Sequence, residues 1–171
     1  MDDLARRLIE ASELRGDFVL SSGRRSSVYF DKFRFLTRPD LLRELAQRVV
    51  AMLAPGTELV AAPEGAAMLL AAAVALEADL PIAVVRKEPK PYGTRALLEG
   101  APPPGTVATL VEDVSTTGHQ VRRAAAALQD AGVRVARIVL AIDRGGAAPL
   151  REAGFEVLAV VELAPTEGAS P

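Results

Sequence analysis

Residues 107–120 read VATLVEDVSTTGHQ. Val107, Leu110 and Val111, with Ala108 and Thr109 between them, make an apolar run that predicts a buried strand, closed by Glu112 and Asp113. Ser115, Thr116, Thr117 and Gly118 then form a hydroxyl-rich turn, and helical period resumes over 121–128. Acids at the carboxyl end of a parallel strand stand where open α/β sheets bind ligands. The hydroxyls and free backbone N–H groups at the following helix start suit an anion, above all a phosphate. A helix cap alone needs only one Ser or Thr. A phosphorylated sugar accounts for both features: carboxylates accept hydrogen bonds from ribose hydroxyls while the turn holds the phosphate.

Downstream, 133–142 reads as a strand ending in Asp143-Arg144-Gly145-Gly146, which again puts charge at a ligand-binding strand end. A short helix over 148–153 and a strand over 155–162 follow, and 164–171 reads as a frayed tail. Upstream, 59–62 is a buried strand, Pro63-Glu64-Gly65 a turn, 66–76 an Ala/Leu helix and 81–85 a strand. An amphipathic helix over 39–53 precedes them, with Leu42, Leu45, Val49 and Met52 as its stripe. Alternating strands and helices predict a mainly parallel sheet with right-handed crossovers.

Two segments break that rhythm. Residues 86–105, RKEPKPYGTRALLEGAPPPG, lack periodicity and carry Arg86, Lys87, Lys90 and Arg95. A loop of this length is a functional, mobile segment or a solvated insertion. At the other end, a helix over 4–14 stops at Gly16, and a hairpin follows. The tip of that hairpin, Ser21-Ser22-Gly23-Arg24-Arg25-Ser26-Ser27, is basic and Ser-rich, and its return strand carries Tyr29 and Phe30. Alternation sends at least one of two adjacent aromatics inward, so composition alone favours a core role for them.

Bulk properties narrow the classes. The 171 residues are 50% apolar and 4% aromatic, enough for one domain with a full core over 1–171. A net charge of −2 gives no general attraction to nucleic acid or to an anionic membrane, so an anionic substrate must be held by local Arg and Lys. The absence of cysteine excludes disulfides, zinc thiolates and thiol catalysis. MDDLARRLIEAS lacks the apolar core of a signal peptide, and 66–76 is too short to span a bilayer. A cytoplasmic protein is expected.

Taken together, TLVEDVSTTG, VVRKEPKPYGTRALLEG, FVLSSGRRSSVYFD and AIDRGG closely resemble the orotate phosphoribosyltransferase family over about residues 18–160. TLVEDVSTTG resembles the 5-phosphoribosyl 1-pyrophosphate (PRPP) signature of all type I phosphoribosyltransferases, while the loop and the hairpin narrow the resemblance to the orotate enzymes. The resemblance implies a type I phosphoribosyltransferase fold with a small N-terminal hood over 1–36 and a catalytic loop over 86–105. It implies transfer of phosphoribose from PRPP to orotate, giving orotidine 5′-monophosphate and pyrophosphate, with Mg2+ held mainly by PRPP and water.

Carried over by resemblance, Glu112 and Asp113 take the ribose hydroxyls, with Asp113, Lys87 and Lys90 as the catalytic set. Val114, Ser115, Thr116, Thr117, Gly118, His119 and Gln120 cradle the 5′-phosphate, and Arg86, Lys87, Lys90 and Tyr92 grip the pyrophosphate. Ser21, Ser22, Gly23, Arg24, Tyr29, Phe30, Thr116 and Arg144 hold orotate, Arg144 as a fork for its carboxylate. A homodimer with shared active sites is implied in the same way, with no nucleic-acid or membrane partner. Many members carry Lys where this chain has Ser21, and others carry Lys in the turn that here reads Pro63-Glu64-Gly65. His119 stands where a small residue is usual, and Tyr92 where His is frequent.

The competing readings are a purine-salvage phosphoribosyltransferase, a non-catalytic PRPP-binding regulator, and a nucleotide-binding Rossmann module. The hairpin opposes the first, Lys87, Lys90 and Asp113 oppose the second, and no GxGxxG follows the first core strand for the third.

Overall fold

The computed structural model describes residues 2–19, 23, 25–88 and 97–164. Helix α1 (Asp3–Ser12) starts at Asp2, whose side chain accepts from the Ala5 N–H at 2.9 Å, and buries Leu4 and Leu8. Strands β1 (Glu13–Val19) and β2 (Arg25–Phe30) pair antiparallel as the expected hairpin, with Val19 opposite Arg25. The first helix is shorter than its apolar spacing suggests: Leu14 lies in β1 opposite Tyr29, and Gly16 is inside the strand. Strand pairing outcompetes another helical turn there, and the Asp31 N–H donates to Ser12 O at 2.9 Å across the hairpin base.

Periodicity gave no sign of α2 (Phe33–Leu36), a single turn that buries Phe35 and Leu36. Helix α3 (Pro39–Val50) begins on its proline and buries Leu41, Leu45 and Val49. Its fully buried stripe thus runs through Leu41 rather than Leu42, and Met52 lies past its end. Next come β3 (Leu59–Pro63), α4 (Ala67–Ala78), β4 (Ile82–Val85) and β5 (Leu98–Glu99). They are followed by β6 (Val107–Ser115), α5 (His119–Asp130), β7 (Arg134–Asp143), α6 (Ala147–Glu152) and β8 (Val157–Glu162).

The strands form a six-stranded sheet in the order β5-β4-β3-β6-β7-β8, parallel except where β5 meets β4. The short β5 lies inside the segment read as a structureless loop, paired by its backbone to β4. All five residues of β3 are buried, as expected of a central parallel strand covered on both faces. One core layer packs Val60, Val111 and Val139 with Phe35, Leu41, Leu45 and Leu70 from α2–α4. The other packs Leu110, Ile138 and Leu140 with Leu128 of α5 and Leu150 of α6. From β3 the chain winds outward to β4, and from β6 it winds the opposite way to β7. The carboxyl ends of β3 and β6 therefore flank the topological switch point, where such sheets place their ligands.

Candidate active site

Strand β6 does not end at its acids. It runs on to Ser115, so Glu112 and Asp113 sit within a paired strand and are nearly inaccessible, Glu112 at 4% exposure and Asp113 at 0%. Glu112 Oε1 accepts from the Asp113 N–H at 3.1 Å, and Asp113 Oδ1 accepts from the Val114 N–H at 2.6 Å. Burial, reinforced by the charge of Asp113, pushes the Glu112 carboxyl up to about 8. Its neighbour has a counter-ion: Lys32, just after β2, places Nζ 3.1 Å from Asp113 Oδ1 and 3.0 Å from Oδ2.

Past Ser115 the chain turns through Gly118, whose φ of 71° is in the left-handed region, and enters α5 with no side-chain cap. Gly118 offers the first turn of α5 no side-chain cap, and the amides there carry the positive end of the helix dipole. A cleft of about 270 Å³ opens there, lined by Lys32, Glu112 and residues 114–121. His119 is the first residue of α5 and is exposed, with its backbone N–H 3.4 Å from Thr117 Oγ1.

The turns after β6 and β7 interlock. The Arg144 N–H donates to Ser115 O at 2.8 Å, and Asp143 Oδ1 accepts from the Gly145 and Ala147 N–H groups at 3.0 Å each. A Cβ on Gly146 would run into Ser115 Oγ and lie 3.0 Å from the Gly118 nitrogen, while one on Gly118 would lie 2.8 Å from Gly146 O. Only glycines allow the two turns this close. Arg144 is half-buried, with its guanidinium 4.9 Å from the Phe30 ring centre. Burial holds that guanidinium below its ordinary pKa, against the opposing pull of Glu13. Its buried Nε has no hydrogen-bond partner among the described residues.

At the end of β4, Lys87 is held by both of its backbone groups. Its N–H donates to Glu64 Oε2 at 3.0 Å, and its carbonyl accepts from Arg123 of α5 at 2.8 Å. The Arg86 guanidinium stands 3.8 Å from Glu99, and its N–H donates to Leu97 O at 2.8 Å.

No family model matches the chain. A protein of Nocardioides sp. named orotate phosphoribosyltransferase is 40% identical over 168 residues, covering 97% of this chain and 94% of that protein. One of the same name from Methanocella arvoryzae is 37% identical, covering 91% and 90%. The chain belongs to the orotate phosphoribosyltransferase family. Among solved structures, the Mycobacterium tuberculosis enzyme of this family superposes with a TM-score of 0.83 at 29% identity, covering 94% of this chain and 95% of that one. The Aeropyrum pernix enzyme gives 0.78 at 34% identity, covering 94% and 93%. The M. tuberculosis enzyme in complex with PRPP gives 0.73 at 28% identity, covering 94% of each chain. The expected type I phosphoribosyltransferase fold, a mainly parallel sheet flanked by helices with a hairpin above it, is the one observed.

Within that family fold the expected site residues separate into groups. Glu112, Val114, Ser115, Thr116, Thr117, Gly118, His119 and Gln120 line one cleft, with Asp113 behind Lys32. Arg144 and Phe30 meet each other, whereas Tyr29 is 41% exposed and packs on Phe18 at 5.5 Å. Arg86 and Lys87 lie past β4 and do not line the cleft. Gly23 lies exposed between β1 and β2. Ser21, Ser22, Arg24, Lys90, Tyr92 and Arg95 fall outside the described residues. Sequence reasoning missed Lys32, Arg123 and the part played by Gly146. Only the Gly145-Gly146 pair after a charged strand end offered a signal, that of a close backbone approach.

Proposed function

We propose that the cleft at the end of β6 is where this chain transfers the 5-phosphoribosyl group from PRPP to orotate. The products are orotidine 5′-monophosphate and pyrophosphate, in de novo pyrimidine (UMP) synthesis. The observation that carries the placement is a buried acid pair running directly into an uncapped helix start. The amides of 115–120 take the 5′-phosphate, and Glu112 and Asp113 answer the ribose hydroxyls. Arg144, with an unpartnered buried nitrogen beside Phe30, suits a planar carboxylate presented next to an aromatic ring.

Displacement at the anomeric carbon develops oxocarbenium character while negative charge builds on the leaving pyrophosphate. Cations aimed at that charge lower the barrier. Arg86 and Lys87, at the root of the proposed catalytic loop over 86–105, together with Lys90 and Tyr92 beyond them, fill that role by family resemblance. Among the described residues no group of three or more His, Cys, Asp or Glu could hold a metal alone. A magnesium ion carried by PRPP oxygens and water would fit beside the acid pair and supply Lewis-acid stabilisation of the pyrophosphate. A cytoplasmic homodimer with shared active sites and one domain over 1–171 complete the reading. Among the described residues no helix is long and apolar enough to cross a membrane.

The test is an assay with PRPP and magnesium, offering orotate, uracil, hypoxanthine and adenine separately. Nucleotide from orotate alone is expected, while PRPP binding with no product from any base would favour the regulator. Lys87→Ala and Lys90→Ala are each expected to cut kcat by roughly 100-fold or more with an unchanged thermal midpoint. Full rates in both would remove the loop from the mechanism.

A further inference from the structure

Among the described residues, Lys32 is the one Lys or Arg that lines the cleft. It belongs to the segment joining the hood hairpin to α2, and it reaches across to a carboxylate 81 positions away in the chain. The Asp113 side chain is 0% exposed, and the Lys32 side chain is 38% exposed. A ligand entering the cleft therefore meets the ammonium before it meets the acid. An ammonium has three N–H donors; Asp113 Oδ1 accepts one of them at 3.1 Å, while Oδ2, 3.0 Å away in the ion pair, is buried with no hydrogen-bond partner among the described residues. Lys32 also lines the cleft, so its other donors are within reach of a ligand there. A polyanionic sugar phosphate gains from a cation placed beside the acid pair, and Lys32 supplies one.

We propose that Lys32 is a donor-binding residue, bridging Asp113 to an oxygen of PRPP and making Asp113 act on the donor partly through this ammonium. The proposal rests on the reading that this cleft takes PRPP. It gives the hood a second task besides facing the base: the segment that follows β2 also contributes to holding the phosphoribosyl donor.

The experiment measures PRPP affinity by calorimetry at several salt concentrations, and KM for PRPP and for orotate, in the parent and in Lys32→Met, Lys32→Gln and Lys32→Arg. Met keeps the stem and removes the charge. Gln keeps a donor for Asp113, and serves if Met fails to fold. Met or Gln is expected to weaken PRPP about 10- to 100-fold and to flatten its salt dependence, with the orotate KM moving less than about threefold and Arg restoring most of the loss. A purely structural lysine would instead lower the thermal midpoint and leave PRPP affinity and its salt slope as in the parent, which overturns the proposal. Gly146→Ala, which blocks the turn itself, is the control for the cleft. If it abolishes PRPP binding while Lys32→Met and Lys32→Gln do not weaken it, the bridge alone is wrong. If it too binds PRPP like the parent, the cleft assignment falls and the bridge with it.

Discussion

The two ends of the proposed site are built by opposite means. The donor end is strand β6 and the turn into α5, where Glu112, Asp113 and Ser115 are all buried and the geometry comes from neighbouring backbone. The base end is the β1–β2 hood, a two-stranded sheet with Val19 72% exposed and little core of its own. A lone hairpin is marginal in water, so the hood depends on attachments: Asp31 to Ser12, Lys32 to Asp113, and Phe30 under Arg144. Perturbations therefore act differently at the two ends. Damage to the donor end is transmitted through close backbone approach, while damage to the hood removes individual tethers.

The largest effect tests the donor end. Gly146→Ala forces a Cβ into Ser115 and against the Gly118 amide, and is expected to weaken PRPP by roughly 100-fold, about 3 kcal/mol. A Kd within threefold of the parent would take PRPP away from this turn and the cleft assignment with it. A middle-sized effect tests the base end. Arg144→Ala removes the guanidinium above Phe30 and should raise the orotate KM by about 10- to 100-fold, with PRPP changing far less. Equal losses for both substrates would erase the division between the two ends.

The smallest effect is in pH. The Glu112 carboxyl is pushed up to about 8 in the folded chain, against an ordinary value of about 4.3 when unfolded. Between those values the folded state holds more protons than the unfolded state, so stability falls as pH rises through the window. Glu112→Gln is expected to flatten the decline of the thermal midpoint with rising pH through that window. A variant with the parent's pH slope would place the titration elsewhere.

Much of the donor end was legible because it is local. The run from Val107 to Gln120 carries its acids, hydroxyls and helix start within one strand-turn-helix, and the structure alters only the boundary, extending β6 to Ser115. The hood was legible as a hairpin but not in its details. Leu14 looked helical by spacing and is a strand residue, because cross-strand pairing with Tyr29 decides its state. Tyr29 and Phe30 were alike as letters, and only packing separates the exposed ring on Phe18 from the one under Arg144. Glu64 read as a lost cation, yet its carboxylate holds the Lys87 amide at the root of the proposed loop.

The alternation of strands and helices, the mainly parallel sheet and the strand whose end carries the acids follow from the residues alone. Each of these is written in periodicity and residue type over short spans. Which cation faces Asp113, which ring lies beneath Arg144, and why Gly146 must be bare for the turn after β6 to form come only from the folded chain. Those pairings join residues far apart in the chain. They are fixed by the order of strands in the sheet and by how the hood seats on it, and local hydrophobic patterning carries no information about either.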